Sequence, residues 1–149
     1  MSIKEQLKTD LNTAIKSRNS VVAETIRMVL TAITNEEVAG KEKKELSDAE
    51  IITVLTREAK KRREAAEAFD AGGRADRAAA ARAEGEVIAG YLPEQLSEDD
   101  IKKLIAETIA AVGATGPSDM GKVMGGLKAK VAGKADGALV SSLVKAALS

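Results

Sequence analysis

The segment D-M-G-K-V-M-G-G-L-K-A-K-V-A-G-K-A-D-G, from Asp119 to Gly137, gathers glycine and lysine in a pattern suited to contact with a polyanion. Read as a helix over Met120 to Val131, at about 100 degrees per residue, it carries Met120, Val123, Met124, Leu127 and Val131 on one side. Gly121, Gly125 and Gly126 flank Lys122 on the other, away from the local core. A glycine inside a helix costs about 1 kcal/mol relative to alanine, so three on an outward face imply that something comes close. With Lys128, Lys130 and Lys134 nearby, that something fits a phosphate backbone: lysine supplies charge and glycine removes obstruction. The segment has no aromatic residue on which bases could stack. The same glycines would also admit another helix of this protein, or mark a frayed one. The pattern is not a Walker loop, because no G-x-x-x-x-G-K-[ST] occurs.

A second position of interest is Arg62. It falls inside the apolar stripe made by Ile51, Leu55, Ala59, Ala66 and Phe69, an unusual place for a charge. On the next helical segment, Glu84 falls within the stripe of Ala80, Val87, Ile88 and Tyr91, and a hairpin between the two segments brings it level with Arg62. An unpaired buried charge is costly, so the pair reads as a structural ion pair that fixes hairpin register. A polar active site would need a further carboxylate or nucleophile, and none is nominated nearby. The run Lys60-Lys61-Arg62-Arg63 is interleaved with Glu58, Glu64 and Glu67, which suits a solvated helix with local ion pairs better than a binding stripe.

Composition narrows the chemistry further. Cysteine and histidine are both absent, which removes disulfides, thiolate nucleophiles, histidine general bases and the commonest zinc and haem ligands. No metal site and no cofactor is expected. Lys plus Arg equals Asp plus Glu at 23 each, so attraction to a nucleic acid must come from a local patch. The first residues are charged throughout, with no apolar run of signal-peptide or membrane-spanning length and with acids that transit peptides avoid. A cytoplasmic protein with no membrane contact is the expectation.

The elements that must position these residues are helical throughout. With one Phe, one Tyr and no Trp among 149 residues, the core has to be built from Ala, Leu, Ile, Val and Met, which suits closely packed helices. Ser2 with Glu5 is a capping-box signature, followed by Ile3, Leu7, Leu11 and Ile15 on one face. Ser20 is expected to cap a second helix ending near Gly40, and Ser47 with Glu50 to open a third running to about Ala71. Gly72-Gly73 turns the chain into a fourth helix that reaches Gly90, giving an antiparallel hairpin. Tyr91-Leu92-Pro93 ends it, because proline disfavours helical geometry at the residue before it. Residues 1–93 are therefore predicted as an N-terminal helical bundle. Residues 94–149 are predicted as a small domain of three helices, the first capped at Ser97, the second starting at about Ser118 and the third capped at Asp136. No alternating strand pattern competes, and the fold class is all-α.

Several pieces together resemble the YqeY family: the stretch from Arg27, K-R-R-E-A-A-E-A-F ending at Phe69 with G-G-R after it, Y-L-P at Tyr91 to Pro93, and D-M-G-K-V-M-G from Asp119. The resemblance spans essentially the whole chain. It implies a helical N-terminal domain joined to one similar to the C-terminal tail of the amidotransferase subunit GatB, which contacts tRNA. Its implied partners are tRNA or another structured RNA and, beyond that, amidotransferase or aminoacyl-tRNA synthetase components. The family's association with carbon-nitrogen ligase activity, glutamine being the amido donor, would make this chain a free-standing ligase. The chain shows no amidase Ser-Lys constellation, glutaminase cysteine or nucleotide loop to support that. The binding role transfers better, onto Gly121, Lys122, Met124, Gly125, Lys130, Gly133 and Asp136. A helical protein-interaction module without RNA is the third reading.

Overall fold

The computed structural model describes the whole chain, Met1–Ser149. It is all-α, with no strand: α1 Ile3–Lys16, α2 Ser20–Glu37, α3 Asp48–Ala71, α4 Ala75–Ala89, α5 Glu98–Val112, α6 Met120–Val131 and α7 Gly137–Leu148. A single 3₁₀ turn, Pro117–Asp119, leads into α6. The helices form two compact units, Met1–Leu92 and Pro93–Ser149.

In the first unit, α3 and α4 pack along one another as a hairpin, and α1 and α2 complete the bundle. Leu7, Ile26, Val29, Ile33, Ile51, Val54, Leu55 and Ile88 form a core closed to solvent. The capping boxes at Ser2/Glu5 and Ser47/Glu50 are both made, each serine accepting the N3 amide at 3.2 Å. Two boundaries differ from the sequence expectation. Asn19, not Ser20, caps α2, accepting from the Val22 amide at 3.3 Å, because the chain first turns through Arg18 in a left-handed conformation (φ 59°). And α2 stops at Glu37, three residues before Gly40, where the Lys44 amide takes the Glu37 carbonyl at 2.9 Å.

Glu37 is a knot in this unit. Its nearly buried carboxylate accepts from Lys4 Nζ at 2.9 and 3.0 Å and from the Leu46 amide at 3.2 Å, tying α1 and the loop before α3 to the end of α2. The Lys4 hydrogen bond, then the Leu46 amide, hold its pKa below the usual carboxylate value. Another tie joins Tyr91, at the end of α4, to Asp10 on α1. The phenol donates to the carboxylate, and its pKa is raised by burial and by the Asp10 bond.

Arg62 Nη1 donates to Glu84 Oε2 at 3.1 Å across the α3–α4 hairpin. The pair is half-buried, 27% and 31% exposed, and Arg62 Nε has no partner. Gly85 lies beside the arginine stem, where an added Cβ would make an ordinary contact with Arg62 Cβ at 3.6 Å. Partial solvation lowers the stake. Removing either side chain alone should cost about 1–2 kcal/mol rather than the roughly 3 kcal/mol of a fully buried pair. Thermal melts of Arg62→Ala, Glu84→Ala and the double variant test this, since a coupled pair gives a double loss smaller than the sum of the singles. Additive small losses would reduce it to an incidental surface contact.

In the second unit, α5, α6 and α7 each bury one stripe, so that Ile101, Ile105, Val123, Leu127, Val140, Val144 and Leu148 share a separate core. Ser97 caps α5 by accepting the Asp100 amide at 3.1 Å, and Gly113 closes it in a left-handed conformation that favours glycine (φ 69°). Asp136 caps α7 by accepting the Ala138 amide at 3.2 Å.

Candidate nucleic-acid interface

The face of interest lies on α6. Val123 and Leu127 are fully buried beneath it, with Met120, Met124 and Val131 packed on the same core, so Lys122, Lys128 and Lys130 project outward. At Gly121 and Gly125 an added Cβ would meet nothing within 4 Å: the helix backbone is bare there and open to an approaching group.

Gly126 does not belong with them. A Cβ there would come within 2.8 Å of Thr108 Cγ2 and 3.8 Å of Val112 Cγ1, both on α5. Helical spacing alone puts all three glycines away from local packing, and for Gly126 the structure corrects this. One residue of helix turns the direction by about 100 degrees, which is enough to point Gly126 at α5 while its neighbour Gly125 stays clear. Gly126 is a packing residue that lets α5 and α6 approach.

The lysines differ in their surroundings. Lys122, 70% exposed, has its ammonium 3.8 Å from Asp119 Oδ1, a loose surface pair. The Asp119 carboxyl is mainly engaged elsewhere: it accepts the Thr115 amide at 2.9 Å, which holds its pKa below the ordinary value. Lys128 and Lys130 are exposed and have no ion-pair partner. Lys134, also exposed, sits in the α6–α7 loop, whose backbone is pinned: the Leu96 amide donates to the Lys134 carbonyl at 2.8 Å, and Gln95 Nε2 to the Gly133 carbonyl at 2.8 Å. Gly133 adopts φ 71°, which makes this turn possible.

The charge of this unit is divided along the chain. From Met120 onward Lys122, Lys128, Lys130, Lys134 and Lys145 face a single acid, Asp136. From Glu94 to Asp119 the acids Glu94, Glu98, Asp99, Asp100, Glu107 and Asp119 face only Lys102 and Lys103. A neutral unit thereby carries a cationic α6–α7 segment. By contrast, the basic run of α3 is answered locally, by Lys61 with Glu58 at 3.2 Å and Lys60 with Glu64 at 3.9 Å.

The family model described as Yqey-like protein matches residues 4–148. The chain belongs to the YqeY family. That match takes in the α3–α4 hairpin, Tyr91 and the α6 glycines and lysines alike, so both units are part of the YqeY pattern. No curated protein matches the sequence. No helix of this YqeY chain is long and apolar enough to cross a membrane.

One feature of the site leaves almost no signal in the sequence. Met124, Gly125, Lys128 and Val131 of α6, with Ala135, Gly137 and Val140 beyond it, line an open groove of about 390 Å³. Its only trace in the sequence is the continuation of small residues past α6, in A-G-K-A-D-G from Ala132.

Proposed function

We propose that this YqeY protein is a binding adaptor for tRNA or a similarly structured RNA, working beside glutamine-dependent tRNA amidation and using α6 of its C-terminal unit as the contact. The observation that carries the reading is the bare helix backbone at Gly121 and Gly125, next to the outward Lys122 and the unpaired Lys128 and Lys130. Such a surface suits phosphate, which needs charge and close approach but no particular base. The link to amidation and to its enzymes rests on the resemblance to the GatB tail alone.

Binding of the full chain to bulk tRNA, followed by fluorescence anisotropy at several salt concentrations, tests the contact. Gly125→Leu is the decisive variant. The space above Gly125 is empty and leucine is a good helix former, so the fold should stay intact by circular dichroism while affinity falls about tenfold or more. An intact Gly125→Leu protein that binds tRNA as tightly as the parent would remove the basis of the proposal.

A further inference from the structure

The groove beside α6 differs in kind from the lysine surface. Its walls are almost wholly apolar, contributed by the partly exposed Met124, Val131 and Ala135 over the buried Leu127 and Val140, and Lys128 is the one charged residue lining it. Two glycines on opposite sides, Gly125 and Gly137, have open space where a side chain would stand, which keeps it clear. At about 390 Å³ it lies at the small end of ligand sites, matching one ring system and its sugar and too small for a docked helix.

We propose that this groove receives one unstacked base of a bound RNA, with the adjoining phosphate on Lys128, so that the C-terminal unit selects looped or single-stranded RNA over duplex. The inference rests on the RNA-contact reading above and deepens it. The chemistry favours a flat aromatic ring: its faces meet apolar walls, and the Met124 thioether is a polarizable partner for a ring in a site with no aromatic side chain. The cation at the rim complements a phosphate, and a base held in a duplex cannot reach such a groove without being flipped out. Because contact is to the faces of the ring and not to its hydrogen-bonding edge, the site is indifferent to base identity.

The test compares three probes of equal length on the full chain: a single-stranded RNA, a duplex RNA, and a single-stranded phosphodiester lacking bases. Gly137→Leu is the variant, since it fills the groove from its α7 side and leaves the lysines and Gly125 in place. The parent protein should bind the single strand about three- to tenfold more tightly than the base-free strand. Gly137→Leu should erase that difference while leaving duplex affinity and salt dependence unchanged. Equal binding of the single and base-free strands by the parent would overturn the groove proposal and leave the backbone-contact reading standing, as would a single-strand preference that survives in Gly137→Leu. Failure to bind any of the three would overturn both. Uptake of an acidic amphipathic peptide in the groove without competition from the single strand would identify a protein-docking site instead.

Discussion

Changing Lys122, Lys128, Lys130 and Lys134 together to glutamine is expected to abolish most of the salt dependence of tRNA binding. If each lysine neutralises one phosphate, duplex-like counterion release at about −0.9 per contact gives a log-log slope of roughly −3.6. The parent should then lose about 150-fold in affinity over a fourfold rise in salt, and the variant very little. Glutamine keeps helix propensity close to that of lysine, and these side chains are exposed, so stability should move by no more than about 0.5 kcal/mol. A matched control separates local contact from net charge. Lys8, Lys16, Lys41 and Lys103 are also exposed and carry the same total charge, but lie off α6. Their replacement by glutamine should leave the slope near its parent value. If both sets flatten it equally, the attraction is a property of overall charge and α6 is no interface.

The second large effect concerns folding. Gly125→Ala and Gly126→Ala, adjacent in sequence, should change stability in opposite directions. At Gly125 the added methyl meets nothing, so the variant gains up to about 1 kcal/mol of helix propensity. At Gly126 the methyl would stand 2.8 Å from Thr108 Cγ2, well inside the optimal carbon–carbon separation. Thr108 cannot easily step aside: it is buried, and its hydroxyl donates to the Leu104 carbonyl at 2.7 Å. Overpacking of this kind costs about 1–3 kcal/mol and should outweigh the propensity gain. Gly126→Leu extends the same clash. A unit of this size holds roughly 3–9 kcal/mol in all, so that variant should leave the C-terminal unit largely unfolded. Thermal melts with amide exchange on α5 and α6 would report both outcomes. Thr108→Ser removes the clashing methyl and should rescue Gly126→Ala, giving a non-additive cycle. A Gly126→Ala protein as stable as the parent would mean that α5 and α6 do not approach as described.

The two glycine positions show where sequence reasoning stopped. Helical periodicity separated the buried Val123 and Leu127 from the outward Lys122, because a stripe of apolar residues can only face inward. It could not separate Gly125 from Gly126, since a glycine has no side chain whose polarity declares its direction. Which glycine meets another helix depends on where α5 lies, and that is set by the packing of Ile101 and Ile105 against Val123 and Leu127. Likewise Arg62 and Glu84 could be matched from their stripes and the Gly72-Gly73 turn. How much water reaches them could not, because exposure depends on neighbours distant in sequence.

By itself the sequence determined the all-helical class, the family, most helix limits and the absence of cysteine and histidine chemistry. The family follows from the resemblance of its motifs in their order along the chain, and the others from local spacing or composition: capping residues three apart, apolar residues three and four apart, and residue types simply missing. Tertiary structure alone decided the rest. The knot of Lys4, Glu37 and the Leu46 amide joins three segments at the end of α2, which stops three residues before Gly40. Tyr91 found Asp10 across 81 positions of chain. The groove beside α6 exists only because α7 returns past it after the Gly133 turn. Contacts of this kind pair residues whose separation along the chain carries no periodic signal, so they appear only once the helices have chosen their neighbours.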